Sequence, residues 1–298
     1  METIHLSSCP VCSGNKLKKE LTCTDFLVSN EKFLLLKCEN CGFVFTQDFP
    51  NEEEIGRYYD TPQYISHSDT QKGLINSLYH FARKIAMRSK SNLVSDYSAV
   101  KSGKLLDIGS GTGYFLHTMC RKKWIVTGIE KSESARVYAH EKFGLNTQDS
   151  GYLFEIPEET KDIVTMWHVL EHIESLNDTM SGIYRILKKD GTAVIALPNK
   201  ESSDARHYKS YWAAYDVPRH LWHFSPSDFE LLAEKHNFKV EKIKPMYFDP
   251  FYISMLSEKY KGTFAAALVG LTKGFFFFLR SLGNKKKCSS LVYILKKK

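Results

Sequence analysis

No basic segment near the start of this 298-residue chain runs into an apolar core. A secretory leader is therefore not expected, and a cytoplasmic setting is. The cysteines are few and odd in number, seven in all, which fits a reducing compartment and argues against a disulfide framework. No basic stripe interleaved with aromatics appears, so nucleic acid is not an expected partner. Charge is only mildly unbalanced: 41 Lys and Arg against 34 Asp and Glu leave +7. Part of that excess sits at 285–287 and 296–298, which suits a solvated tail or attraction to an anionic substrate or membrane surface. A clean transmembrane run is also missing. The most apolar stretch, 264–282, contains four consecutive phenylalanines at 275–278, but Lys273 interrupts it and Gly262, Gly270 and Gly274 weaken it.

What is present points to a folded chain of one large domain and a small one. Its organising stretch is 104–115, Lys-Leu-Leu-Asp-Ile-Gly-Ser-Gly-Thr-Gly-Tyr-Phe. Leu105, Leu106 and Ile108 form a short apolar run that ends in Gly109, Gly111 and Gly113. Phe115, Leu116 and Met119 then resume at helical spacing. The pattern predicts a buried strand, a tight glycine turn and a helix whose free N–H groups face whatever the turn holds. Dinucleotide turns read G-x-G-x-x-G and cradle a pyrophosphate. Here the third glycine comes one position early, and Asp107 stands two before the first. A carboxylate repels a pyrophosphate but suits a sulfonium or an ammonium. The next apolar segment, 124–129, ends in Glu130, about one helix and one strand beyond Asp107.

The D-x-G-x-G-x-G pattern resembles motif I of the class I S-adenosylmethionine methyltransferases. That resemblance implies that Asp107, Gly109, Gly111 and Gly113 hold the cofactor and that Glu130 binds its ribose hydroxyls. The remaining pattern alternates strand and helix. Strands are expected at 104–108, 124–130, 145–148, 162–167, 192–197, 239–243 and 290–295. Helices are expected at 71–97, 113–122, from Ser132 to Gly144, at 178–188 and from Ser225 to Asn237. The expected fold class is α/β: a doubly wound, mostly parallel seven-stranded sheet covering 101–298, with a linker and helical lead-in at 51–100. An apolar helical insert is expected at about 250–285. It reads as a hairpin that covers the active site or a homodimer partner, or as a peripheral membrane-surface element.

Residues 1–50 carry two Cys-x-x-Cys knuckles, Cys9 with Cys12 and Cys38 with Cys41, separated by 25 residues. Four thiolates from two tight turns suit a tetrahedral structural zinc, and a module this short needs such a staple. The segment resembles a zinc ribbon. Cys23 lies between the pairs and is an alternative ligand. Four thiolates close the metal site, so no chemistry is assigned to it.

The residues that can carry chemistry follow the fourth and fifth strands. Residues 167–172 read Trp-His-Val-Leu-Glu-His, which resembles the Leu-Glu-His signature of small-molecule methyltransferases related to the ubiquinone-pathway enzymes. His168 and Glu171 suit the cofactor pocket or a structural role, with His168 assigned to the cofactor, and His172 suits the acceptor. The loop at 211–225 is crowded with aromatic and histidine residues. The whole plan, a zinc module before a methyltransferase domain, also resembles the sugar C-methyltransferases that act on nucleotide-linked keto-deoxysugars. That resemblance implies roles at the acceptor for Tyr64, His172 and His220. Arg219 stands where that family has Glu, and a guanidinium there suits a phosphate or carboxylate on the acceptor. The expected activity is O- or C-methylation of a small molecule, with His220 as general base and His172 and Tyr64 orienting the acceptor. The apolar insert favours a quinone-like or lipid acceptor, and the zinc module favours a sugar. A non-catalytic S-adenosylmethionine-binding or zinc-dependent interaction protein is the alternative.

Overall fold

The computed structural model describes residues 2–59 and 74–298; Tyr64 lies outside them. The N-terminal part forms an antiparallel sheet from β1 (Leu17–Thr24), β2 (Lys32–Cys38) and β3 (Val44–Thr46). Helix α1 (Leu74–Tyr97) then leads into the large domain.

That domain begins with β4 (Lys104–Ile108), α2 (Tyr114–Arg121), β5 (Ile125–Ile129) and α3 (Glu133–Phe143). It continues through β6 (Thr147–Gln148), β7 (Lys161–Trp167), α4 (Leu176–Ile186) and β8 (Leu187–Pro198). The two-residue β9 (Trp222–His223) precedes α5 (Pro226–Lys235) and β10 (Phe238–Pro245). Helices α6 (Asp249–Tyr260) and α7 (Ala266–Gly283) come before β11 (Ser290–Lys297).

Seven strands make one sheet in the order β10-β11-β8-β7-β4-β5-β6, with β11 antiparallel to both of its neighbours. This is the expected doubly wound, mostly parallel α/β fold. The strand alternation shows why both faces need helices. Leu105, Ile163 and Val194 pack with Phe115, Leu116 and Met119 of α2. Their successors Leu106, Val164 and Ile195 pack with Met180 and Ile183 of α4 on the opposite face. Strand order reverses at β4, which lies between β7 and β5, so the crevice for a ligand opens beyond its carboxyl end.

The helix termini follow local chemistry. Ser132 caps α3 through the Ala135 N–H, and Gly144 ends it in the left-handed region. Ser225 and Asp228 form a reciprocal capping box at α5, with Pro226 in its first turn. One boundary differs from expectation. Helix α4 stops at Ile186, and the basic stretch 188–191 belongs to an irregular start of β8, where the register shifts between Leu187 and Thr192. Leu187 is fully buried, so burying its side chain fixes an extended backbone where a helical end was expected.

Two features bear on the site. Strand β9 pairs with β3, so the loop after β8 supplies the fourth strand of the N-terminal sheet. The insert is a hairpin of α6 and α7 held together at glycines. A Cβ on Gly270 would lie 2.4 Å from the Met255 Cα, and one on Gly274 would lie 2.7 Å from the Phe251 Cα. The two helix backbones therefore touch where larger residues would hold them apart.

Candidate active site

The glycine turn sits at the carboxyl end of β4. Gly109 adopts φ +72°, and a Cβ there would meet the Val169 side chain at 2.2 Å. Gly111 also has positive φ, but a Cβ there would meet nothing within 4 Å, so its backbone borders open space. The Glu130 carboxylate spans the turn. One oxygen accepts from the Gly111 N–H at 2.7 Å and the other from the Ser132 N–H at 2.9 Å. Each oxygen keeps a lone pair for a further donor. Beside them the Ser110 hydroxyl is buried with no hydrogen-bond partner. An open glycine backbone and an acid with spare acceptor capacity together fit a polar cofactor with hydroxyl groups.

Asp107 is buried behind the turn and accepts from the Thr165 hydroxyl at 2.6 Å. Burial pushes its carboxyl up to about 7, against the pull of Thr165 and the Lys90 charge. Burial in turn holds the Lys90 ammonium below its ordinary range, and Lys90 lies 4.6 Å over the Trp167 ring.

A second cluster lies past β7. His168, in the left-handed region, sits between two carboxylates: Glu171 Oε1 at 3.4 Å and Asp249 Oδ2 of α6 at 3.3 Å. Burial opposes its charge, but these two carboxylates win and raise it to about 9. His168 is thus an imidazolium at neutral pH, and a poor base. Glu171 is fully buried, and burial alone would raise it, yet His168 holds it below the usual carboxylate range. Neither of its oxygens has a hydrogen-bond partner.

His172 and His220 meet edge to face, with ring centroids 4.4 Å apart. His172 Nδ1 lies 3.1 Å from the Arg219 carbonyl and 3.0 Å from the Tyr59 hydroxyl. A carbonyl only accepts, so Nδ1 carries the proton and Nε2 keeps a lone pair. Burial, together with the neighbouring His220, lowers His172 to about 4, so it is neutral. His220 Nδ1 donates to the Ala214 carbonyl at 2.9 Å, so in the neutral tautomer this contact selects, Nε2 holds the lone pair, 3.9 Å from Asp216 Oδ2. Glu171, His172 and His220 each bring one donor atom within 4.8 Å of the others, which is a constellation able to hold a divalent cation.

Arg219 does not serve the expected role of anion binder. It is 1% exposed, and its guanidinium donates to Asp25 Oδ1 at 2.8 Å, to Asp216 Oδ1 at 2.7 Å and to the Tyr58 carbonyl at 2.8 Å. Burial would raise Asp216, but Arg219 brings it down to about 2. The residue is a strut between the N-terminal sheet and the histidine loop, with its donors already committed. The fork that binds a substrate phosphate binds protein carboxylates equally well.

The four knuckle cysteines converge. Cys9 and Cys41 sulfurs are 3.6 Å apart, Cys12 and Cys38 sulfurs 3.5 Å, and all four lie within 4.8 Å of one another. The knuckles repeat one backbone pattern. Cys9 N–H donates to the Gly14 carbonyl and Cys38 N–H to that of Phe43, while Ser13 and Gly42 return N–H bonds to the first cysteines. Cys23 is not among them. It is buried with Phe33 and Tyr215, and burial raises its thiol to about 12.

The structure brings Asp107, the glycines and Glu130 together, and joins His168, Glu171, His172 and His220. Sequence reading missed Tyr59, Asp249, Asp216 and Asp25. Tyr59 stood in an aromatic linker with no motif around it, and Asp249 opens a helix far along the chain.

A family model described as a methyltransferase domain matches residues 79–243. A ubiquinone biosynthesis O-methyltransferase from Pelagibacter ubique is 26% identical over 179 residues, covering 54% of this chain and 74% of its own. The protein of the same name from Rickettsia bellii is 23% identical over 215 residues, covering 67% and 86%. Among solved structures, geranyl diphosphate C-methyltransferase from Streptomyces coelicolor matches with a TM-score of 0.54 at 13% identity, covering 84% of this chain and 99% of that one. Phosphoethanolamine N-methyltransferase 2 from Haemonchus contortus matches with 0.52 at 17% identity, covering 85% and 62%. At these identities the structural likeness speaks for the fold alone.

Replacing Arg219 by Met should destabilise the protein by about 3–5 kcal/mol, because Asp25 and Asp216 are left buried without a partner. Denaturant unfolding measures this. A variant of wild-type stability that had lost only acceptor affinity would restore the anion-binding role.

Proposed function

The chain belongs to the methyltransferase-domain family and is a class I S-adenosylmethionine-dependent methyltransferase, and from that premise we propose that it O-methylates a small quinone-like or lipid-like acceptor with His220 as general base. The observation that carries this reading is the placement of His220, its Nδ1 committed to the Ala214 carbonyl and its Nε2 left to take a proton, against His172 and Glu171 past the carboxyl end of β7. S-adenosylmethionine supplies an electrophilic methyl group on a sulfonium. The Glu130 carboxylate fits its ribose side, and the Asp107 carboxylate fits its cationic end. His220 takes the acceptor hydroxyl proton as the oxygen displaces the thioether, and the Glu171 and Asp216 carboxylates stabilise the resulting imidazolium. The relatives named as O-methyltransferases support a hydroxyl acceptor, and the apolar hairpin supports a lipid-like one. Replacement of His220 by Gln should lower kcat by about 100-fold or more with S-adenosylmethionine binding intact. Turnover at the wild-type rate would remove His220 from the role. Methylation of nucleotide-linked keto sugars, with phenolic quinone precursors left unmethylated, would overturn the acceptor class.

The Glu171 carboxylate, ion-paired with His168 but without a hydrogen bond to either oxygen, favours a second reading. A divalent cation on Glu171, His172 and His220 would acidify an acceptor hydroxyl directly. That reading requires turnover to stop on chelation and return with added magnesium or manganese, whereas the general-base reading requires indifference to both.

The Asp107 placement has its own signature. A carboxyl titrating near 7 is neutral at low pH and cannot attract the cofactor's cationic end. Affinity for S-adenosylmethionine should therefore rise roughly tenfold from about pH 5.5 to 7.5, and Asp107→Asn should flatten the profile. Calorimetric titration across that range decides it, and an equally steep profile in the variant would assign the titration elsewhere.

Cys9, Cys12, Cys38 and Cys41 suit a structural zinc ion. Tetrahedral sulfurs at about 2.3 Å from zinc stand about 3.8 Å apart, close to the 3.5 and 3.6 Å gaps here. Elemental analysis should return about one zinc per chain. Cys38→Ser should lose the zinc and lower the melting temperature. A metal-free wild-type protein of unchanged stability would dismiss the ion.

A further inference from the structure

Helix α7 is inside out for a soluble protein. The stripe it buries against the rest of the molecule is Gly270, Gly274, Phe277 and Ser281. The stripe it turns outward is Leu268, Leu271, Phe275, Leu279 and Leu282, at i, i+3, i+7, i+11 and i+14, with Phe276 beside it. Each of these six is between 44% and 68% exposed, and Phe264, just before the helix, is 96% exposed. A helix in water normally hides its large apolar side chains and leaves its small residues outside. Here the close glycine contacts with α6 hold the hairpin together without the large side chains, which therefore remain available. By length and composition α7 can cross a membrane. One face is glued along its length to α6, so the geometry is that of a helix lying in an interface.

Charge selects the occupant. From Lys259 to Lys287 the chain carries seven cations (Lys259, Lys261, Lys273, Arg280, Lys285, Lys286 and Lys287); Lys273 is paired with Glu258 at 2.7 Å and Lys286 with Glu230 at 3.5 Å, so the other five carry the excess charge. A cleft of about 350 Å³ on this face is lined by Lys273 and Arg280 together with His207, Thr272, Phe276 and Phe277. Two copies meeting through this surface would oppose like charges. A bilayer with anionic headgroups offers both counter-charge and hydrocarbon. We propose that the α6–α7 hairpin is a peripheral membrane anchor that lays the outer stripe of α7 into a leaflet containing anionic phospholipid. The hairpin also reaches the active site: Asp249 at the start of α6 contacts His168, and the Ser257 hydroxyl accepts the Ala213 N–H at 2.9 Å. Docking therefore brings the histidine loop towards the leaflet. The anchor stands on the surface alone and does not rest on the identity of the acceptor.

The test is co-sedimentation of the full chain with phosphatidylcholine vesicles, with and without about 30 mol% phosphatidylglycerol, at about 100 mM salt. Partition should be at least tenfold stronger on the anionic vesicles. The Leu271→Ser/Phe275→Ser/Leu279→Ser variant should lose roughly tenfold or more of it while keeping its circular dichroism and S-adenosylmethionine binding. Should that variant fail to fold, Phe264→Ser, at the exposed tip, must weaken partition instead. Wild-type protein that stays in the supernatant with anionic vesicles overturns the proposal. So does serine-variant binding equal to wild type. A dimer in sedimentation velocity that the serine variant dissociates, with no vesicle binding, gives the face to a second copy and overturns it too.

Discussion

The buried guanidinium of Arg219 holds the histidine side of the candidate site in place. It bridges Asp25 of the N-terminal sheet, Asp216 of the histidine loop and the Tyr58 carbonyl. The next residue is His220, and the Arg219 carbonyl itself meets His172. One side chain therefore sets where the loop lies, and its backbone sets which nitrogen of the neighbouring histidine carries the proton. The Thr46 hydroxyl donates to the His220 carbonyl at 2.8 Å and reinforces the same seam. A module that first reads as an accessory to the sheet thus forms one wall of the candidate active site.

The cofactor side is organised on a different principle. There the backbone is turned by glycine, and Glu130 straps the turn through the Gly111 N–H. The Ser110 hydroxyl within the turn is buried without a hydrogen bond. On the histidine side, charge is balanced more tightly. His168 is held as a cation by two carboxylates, while His172 is kept neutral by burial and by its neighbour. Two histidines within one small volume are thus set to opposite protonation states by what each of them touches.

Much of the cofactor side was legible in the sequence, because a strand-to-helix change of period punctuated by glycine is a local signal. The strand ends followed from the same signal, since an apolar run of five or six residues bounded by an acid or a proline has few alternatives. The cysteine knuckles were legible for the same reason. The histidine side was only half legible. His172 and His220 were found through resemblance, but nothing near Tyr59 or Asp249 marks them, because their partners lie far away in the chain. Arg219 was misread because its chemistry serves a substrate anion and a protein carboxylate alike, and only the position of Asp25 decides between them. Strand β9, two residues long, carries no periodicity to detect.

The pairing of β9 with β3 also bears on how much chain must be closed to complete the site. The cofactor cradle is built from residues 104–136, and its turn closes over 19 residues between Gly111 and Glu130. The wall beside His220 needs closures of 174 residues, from Thr46 to His220, and 194 residues, from Asp25 to Arg219. Long closures cost more chain entropy, by about 0.6 kcal/mol for each doubling of length. The glycine turn therefore rests on closures of 19 residues to Glu130 and 58 from Asp107 to Thr165, while the wall beside His220 depends on closures several times longer.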